Sequence, residues 1–250
     1  MQKESNNWNS DKYKNHANFV SQMAEDLVEV LNPQKDETIL DLGCGDGTLA
    51  LQIKQKCKNI IAVDLSNDMV KKTKSLGIEA YVMSATNLEF ENKFDAVFSN
   101  AVLHWVKQSK LAVQNINKVL RINGRFVAEF GGYNNIHTIV EAINEVFISN
   151  PSYGTFNNPW YFPTIQEYKS ILQQNGFEVK SISLKNRATP VDDILNWLKI
   201  FANGIISHLS LKEQEVFIEE VKKICEHKLY SKEKAWILDY VRIRIEAIKL

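Results

Sequence analysis

Asp41-Leu42-Gly43-Cys44-Gly45-Asp46-Gly47-Thr48 follows directly on the apolar run that begins at Thr38. Glycines at 43 and 45 let a backbone turn sharply and approach a ligand without Cβ interference. A helix opening after Thr48 would aim its free N–H groups at the same crevice, and open α/β sheets bind their ligands beyond the carboxyl ends of the strands. The stretch therefore reads as the turn from a first strand into a first helix.

Outward from this turn, short β-rich runs alternate with helical patterns, the signature of crossover units feeding a mostly parallel sheet. Strands are expected at Thr38–Leu42, Ile60–Asp64, Ala80–Ser84, Phe94–Asn100 and Gly124–Phe130, mostly continuous apolar runs suited to a sheet covered on both faces. Helices are expected after Thr48 and after Ser66, each capped by that residue, with Gly77 and Gly124 as C-terminal stops. Upstream, Phe19, Met23, Leu27, Val30 and Leu31 recur at helical spacing before Pro33, predicting an amphipathic helix across one sheet edge. Downstream, Gly131-Gly132 opens a helix carrying Ile136, Ile139, Val140 and Ile143, and an aromatic loop runs from Pro151 to Pro163. A helix over Thr164–Gln174 leads to a sixth strand near Phe177–Leu184. The alternation of Val241, Ile243 and Ile245 with Arg242, Arg244 and Glu246 makes the last segment a strand. Helical stretches at Val191–Ala202 and Leu211–Leu229 lie between these two. The expected fold is a single α/β domain over 1–250: an open seven-stranded, mostly parallel Rossmann-like sheet with helices on both faces and an antiparallel last strand. Residues 1–33 form an N-terminal lid and helix, and 187–236 form a small helical cap inserted between strands six and seven.

Composition narrows the function classes. Hydrophobic residues at 44% and charged residues at 24% describe an ordinary globular chain. Thirty Lys+Arg balance thirty Asp+Glu, so the global basic field of a nucleic-acid binder is missing, and no nucleic-acid partner is expected. Cysteines at 44, 57 and 225 lack the paired spacing of a disulfide framework or zinc site, so no metal is expected and a reducing cytoplasm fits. Neither an export signal nor a membrane span is legible. A small-molecule substrate and a monomer or homodimer are the expected partners.

The charge of the glycine loop discriminates among nucleotide ligands. A dinucleotide fingerprint reads G-x-G-x-x-G, whereas this loop reads Gly43-x-Gly45-x-Gly47 with Asp46 inside it. Carboxylates at Asp41 and Asp46 oppose a pyrophosphate but favour a ligand carrying an ammonium and a sulfonium, the feature that separates S-adenosylmethionine (SAM) from NAD. Asp64 closes the second strand, where a carboxylate accepts hydrogen bonds from both ribose hydroxyls.

On these residues the chain resembles the class I, Rossmann-like SAM-dependent methyltransferases, strongly over about 40–130. The resemblance implies that Asp41, Gly43, Cys44 and Gly45 surround the methionyl part of SAM and that Asp64 holds the ribose. It further implies that Leu65 and Met69 contact adenine, and that Ser84-Ala85 lies where many members place an Asp beside the adenine amino group; Asn100 and Ala101 complete the cofactor set. After the fourth strand, Ser99-Asn100-Ala101-Val102-Leu103-His104-Trp105 resembles the trans-aconitate and malonyl-carrier-protein O-methyltransferase group, whose acceptors are carboxylates. The likeness extends more weakly to Trp8-Asn9-Ser10-Asp11-Lys12-Tyr13 and to Arg187-Ala188-Thr189-Pro190 with Trp197 and Phe201.

Methyl transfer from a sulfonium is an in-line displacement that neutralises charge, so the protein must chiefly align the reactants and exclude water. A carboxylate acceptor is already ionised near neutrality, whereas a hydroxyl or protonated amine needs a base. His104 is the candidate catalytic residue, as a base or as a donor orienting an acid, and Arg187 at the sixth-strand end is the candidate carboxylate clamp. Tyr13, Trp105, Tyr133, Trp160 and Trp197, with Tyr161, Phe162 and Phe201, supply an apolar enclosure for the acceptor. Cys44 fits the loop by its small size and has no nucleophilic role. The expected function is SAM-dependent methylation of a small molecule, at a carboxylate oxygen. A hydroxyl or amine of a metabolite, a nicotinamide dehydrogenase and a non-catalytic SAM-binding regulator stand as alternatives.

Overall fold

A computed structural model describes residues 25–250 apart from Lys232 and Lys234. Tyr13, Phe19, Met23 and the Trp8–Tyr13 stretch lie outside the described residues. The chain forms α1 (Glu25–Leu31), β1 (Thr38–Leu42), α2 (Thr48–Lys54), β2 (Asn59–Asp64), α3 (Asn67–Ser75), β3 (Glu79–Val82) and β4 (Phe94–Asn100). After a 3-10 turn (Leu103–Trp105) come α4 (Ser109–Val119), β5 (Leu120–Gly131), α5 (His137–Ser149), α6 (Ile165–Gln174) and β6 (Phe177–Val191). The remainder is α7 (Ile194–Phe201), α8 (Asn203–Ile206), α9 (Leu211–Leu229), β7 (Tyr230–Ser231) and β8 (Ala235–Lys249).

The strands line up in the order β3-β2-β1-β4-β5-β8-β6, with the two-residue β7 pairing antiparallel to β8 as an addition to the seven expected. β1 pairs in parallel with both β2 and β4, so the strand order reverses there and opens a crevice at the carboxyl ends. β4 and β5 are likewise parallel, and the last strands run antiparallel.

Two compact units divide the described chain. The first holds residues up to Gly132, Tyr161–Leu184 and Ile243–Leu250; the second holds Tyr133–Trp160 and Lys185–Arg242. In the first, side-chain alternation sorts the strands between two apolar layers. Leu40, Leu42, Ile61, Val63 and Val97 pack with Val113 and Ile116 of α4 and with Tyr168 and Leu172 of α6. Ile39, Ala62, Ala96 and Phe98 pack with Leu27 and Leu31 of α1, Ala50 and Ile53 of α2, and Val70 of α3. The second unit has an aromatic core in which Phe147 of α5 lies 5.2 Å from Phe217 of α9 and stacks at 5.8 Å on Phe156.

Several boundaries differ from the expected ones. α1 packs against β5, which is an interior strand, and not across an edge; Leu27, Val28 and Leu31 are almost fully buried, which an edge position could not provide. Gly124 does not stop a helix. α4 runs straight into β5 at Leu120, and Gly124 sits in an irregularity where the register jumps from Phe94↔Leu120 to Ala96↔Arg125 beside a left-handed Asn123. Thr48 is not the cap of α2: the cap is Gly47 at φ 85°, while the Asp46 carboxylate takes the Thr48 N–H at 3.1 Å and its hydroxyl at 2.8 Å. The Thr48 N–H is thus spent locally instead of facing a ligand. α5 starts at His137, five residues after Gly132, because Tyr133–Ile136 forms a turn that includes left-handed Asn134 and Ile136. β6 continues to Val191, so Arg187 lies within the strand and not at its end. Among the described residues no helix is long and apolar enough to cross a membrane.

One buried ion pair ties β8 to β5 in the first unit. Arg244 donates to Glu129 through Nε at 2.7 Å, and its Nη2 reaches Glu129 at 2.6 Å and Asp26 at 2.7 Å. Glu129 is only 2% exposed, so removing the cation takes the Arg244 partner away from a buried carboxylate. Arg244→Met is expected to cost about 3–5 kcal/mol in urea denaturation, with much of the loss recovered when Glu129→Met is added.

Candidate functional site

The site is built where β1 and β2 end side by side in the first unit. The β1–β2 register pairs Asp41 with Ala62 and Leu42 with Val63, which brings the glycine loop alongside the end of β2. Gly43 and Cys44 both donate their N–H groups to the Val63 carbonyl, at 2.7 and 3.0 Å, and Gly45 donates to Asp64 Oδ2 at 3.0 Å. Ser66 donates to Asp64 Oδ1 at 2.8 Å, so both Asp64 oxygens accept backbone N–H groups, and a carboxylate's lone pairs leave acceptor capacity for more.

Gly43 has φ +78°, and a Cβ there would lie 2.2 Å from a methyl of Val102, so only glycine lets the loop meet the segment after β4. Among the described residues, a Cβ at Gly45 would meet nothing within 4 Å, so the space facing the loop is open there. Thr73 of α3, fully buried, donates its hydroxyl to the Gly45 carbonyl at 3.1 Å and lies 3.4 Å from Cys44 Sγ. Ser99 donates to the Leu42 carbonyl at 2.8 Å. Thr73, Ser99 and Val102 were not candidates from sequence; a threonine among the apolar positions of an amphipathic helix was the one signal available for Thr73.

Two carboxyl groups share this small region. Burial first, and the Asp64 charge second, push the Asp41 carboxyl up to about 7. Its Oδ2 is buried without a hydrogen-bond partner. Burial also raises Asp64, against the lowering effect of the Ser66 and Gly45 N–H groups. Burial, with Asp41 next, holds the Cys44 thiol far above its usual range, which keeps it protonated and inert. An unpartnered buried oxygen, an open face at Gly45 and a second carboxylate with spare acceptor sites fit a ligand with a cationic end and a pair of hydroxyls.

The other expected cofactor residues surround the same strand ends. Leu65 directly follows Asp64 and is 53% exposed. Met69 is buried in α3 and donates its backbone N–H to the Ser66 cap. Ser84, two residues beyond β3, hydrogen-bonds the Thr86 hydroxyl at 2.8 Å, and Ala85 is buried beside it. Asn100 ends β4, and Ala101 takes a left-handed φ of 60°, donating to the Glu129 carbonyl at 2.8 Å. His104 follows in the 3-10 turn and is 8% exposed; its Nδ1 accepts the Gly131 N–H at 3.3 Å, and its carbonyl accepts the Tyr161 N–H at 2.8 Å. Trp105 and Phe162 lie 5.3 and 6.0 Å from its ring.

The remaining expected residues belong to the second unit. Tyr133 is 53% exposed, Trp160 is buried, and Arg187 is half-buried in β6 with its carbonyl accepting the Thr189 hydroxyl. Trp197 is buried, stacks near Phe201 at 4.9 Å and spends its indole N–H on the Tyr240 hydroxyl at 2.6 Å.

Comparison with known proteins agrees with this geometry. A family model described as a methyltransferase domain matches residues 40–128, the span from β1 into β5. An uncharacterized methyltransferase of Schizosaccharomyces pombe is 31% identical over 256 residues, covering 97% of this chain and 98% of its own length. The chain belongs to the SAM-dependent methyltransferases. A trans-aconitate 2-methyltransferase of Mycolicibacterium gilvum is 31% identical over 103 residues, 40% of each chain. The fold is shared with geranyl diphosphate C-methyltransferase from Streptomyces coelicolor A3(2), solved with Mg2+, geranyl diphosphate and S-adenosyl-L-homocysteine. That likeness has a TM-score of 0.57 at 18% identity, over 92% of this chain and 77% of that one.

The methyltransferase's Asp41 sets a pH dependence. A cation beside it favours the carboxylate, so below about 7 binding must first remove a proton. With Asp41 as the expected partner of the cationic groups of SAM, SAM affinity is expected to fall by up to about tenfold per pH unit below that point. The ligand-free fold shows the opposite trend: its Asp41 value is raised, so stability is lost as pH climbs from the ordinary carboxyl range through about 7. Calorimetric titrations and urea melts across this range test both slopes, and Asp41→Asn is expected to flatten each.

Proposed function

We propose that this methyltransferase methylates a small-molecule acceptor at a carboxylate oxygen. The observation that carries the reading is the segment after β4. Ser99-Asn100-Ala101-Val102-Leu103-His104-Trp105 holds no Asp, Glu or Lys, and the one titratable side chain, His104, has a ring nitrogen occupied by a backbone N–H. A carboxylate is ionised near neutrality and needs no base; an alcohol or ammonium acceptor would. The likeness to trans-aconitate 2-methyltransferase supports the same acceptor class.

In this reading Asp41, Gly43, Cys44 and Gly45 hold the methionyl end of SAM, with the Asp41 carboxylate facing its cationic groups. Asp64 accepts the ribose hydroxyls, and Leu65, Met69, Ser84 and Ala85 line the adenine. Asn100 and Ala101 border the methyl group. When bound, SAM supplies a methyl carbon made electrophilic by its sulfonium. His104 and Trp105 orient the acceptor, and the role proposed for Arg187 is that of a bidentate carboxylate donor. Tyr13, Tyr133, Trp160 and Trp197 exclude water and select the acceptor, which gives the 1–33 lid and the 187–236 cap their roles in a single functional domain. Three free, buried cysteines support a reducing cytoplasmic setting.

The deciding assay incubates the enzyme with SAM and a panel of mono- and dicarboxylic acids, alcohols and amines, reading S-adenosylhomocysteine and proton release together. Carboxylate methylation releases no proton, alcohol or amine methylation releases one, and no turnover with any acceptor favours a SAM-binding regulator. Asp64→Ala is expected to weaken SAM binding by roughly 1–3 kcal/mol. Arg187→Met is expected to raise the acceptor KM while leaving SAM affinity intact.

A further inference from the structure

We infer that the Gly131 backbone locks His104 as the tautomer protonated on Nε2, making this side chain a hydrogen-bond donor to the acceptor and removing it as a general base. The lock comes from an interrupted sheet. β4 and β5 are paired in parallel up to Asn100↔Glu129, and the next residue, Ala101, donates to the Glu129 carbonyl at 2.8 Å. In a parallel ladder a residue that donates to position 129 also accepts from position 131. Ala101 instead turns into the left-handed region at φ 60°, and the Gly131 N–H goes to His104 Nδ1 at 3.3 Å. The imidazole thus stands in for the missing rung.

An N–H can only donate, so Nδ1 must carry its lone pair and the ring proton sits on Nε2. Gly131 is buried, and moving the proton to Nδ1 would take the imidazole partner from its N–H. The backbone of His104 is held separately by the Tyr161 N–H at 2.8 Å, and Trp105 and Phe162 flank the ring, so the imidazole is fixed from several directions. A general base acting through Nε2 needs its lone pair there, which this tautomer does not have. With His104 removed as a base, the acceptor that fits the proposed function is one already ionised, with no proton to lose. As the oxygen–methyl bond forms, the carbon–sulfur bond breaks and its electron pair stays on sulfur. One negative and one positive charge disappear, and no proton moves.

In assigning His104 to the acceptor this inference rests on the proposed function, but the lock itself can be read without any acceptor. Full-length protein labelled with 15N-histidine, saturated with S-adenosylhomocysteine, is examined by long-range 1H–15N correlation at neutral pH. His104→Gln assigns the His104 signals among the five histidines. The expected pattern is a protonated Nε2 with a bare Nδ1; a proton on Nδ1, alone or together with Nε2, overturns the lock. Kinetics then test the donor role. Glutamine keeps an N–H donor but cannot take up a proton, so kcat/KM of His104→Gln is expected to exceed that of His104→Ala by about tenfold or more. An equal loss in both variants of about a hundredfold or more, the size of a missing general base, overturns it. Turnover confined to alcohols or amines, with one proton released, would sink the carboxylate reading alone while the tautomer pattern still decides the lock.

Discussion

The structure depends on two carboxylates being forced together where adjacent parallel strands stop. Asp41 closes toward the loop from β1 and Asp64 ends β2, and the turn between β1 and α2 is fastened to β2 by the Gly43, Cys44 and Gly45 N–H groups. Burying like charges near one another is unfavourable in the free protein, and the raised Asp41 carboxyl is the visible consequence. In the proposed site a cationic cofactor would relieve that penalty, so the electrostatics that disfavours the paired carboxylates would become affinity for a sulfonium and an ammonium. A pyrophosphate would deepen the penalty, which is why a loop that resembles a dinucleotide fingerprint in its glycines departs from it in ligand.

Close approach does the rest of the positioning. With no Cβ at Gly43, Val102 packs directly on the loop, and this contact places the turn after β4 beside the crevice at the strand ends. That turn is anchored on its other side to β5 through the Glu129 carbonyl and the Gly131 N–H, and Glu129 is itself held by Arg244. The segment proposed to face the acceptor is therefore a short irregular stretch held between two rigid elements, the arrangement that lets loops carry function without losing geometry.

The second unit is organised by its own aromatic core and by polar closures within it. Tyr153 and His208 meet through the Tyr153 carbonyl at 2.9 Å, Asn150 reaches Glu220, and Asp239 accepts both the N–H and the hydroxyl of Thr138 at the start of α5. It carries Tyr133 in a turn, Trp160 in a loop, Arg187 in β6 and Trp197 in α7, while the expected cofactor residues lie in the first unit.

Sequence by itself determined the alternation of strands and helices, the glycine turn, the acidic pair and hence the class of cofactor. These are local properties: apolar periodicity, backbone freedom at glycine and the charge of a short loop survive without knowledge of what packs against them. Tertiary structure decided what depends on distant partners. It placed α1 over the interior strand β5, turned Gly124 from a helix stop into part of a strand irregularity, and carried β6 past Arg187. It also brought Thr73 to the Gly45 carbonyl and Gly131 to His104, pairs separated by 28 and 27 positions in the chain. Whether a histidine is a base or a donor depends on which group meets each ring nitrogen, and that group here is a backbone N–H from another strand, which no pattern around residue 104 encodes.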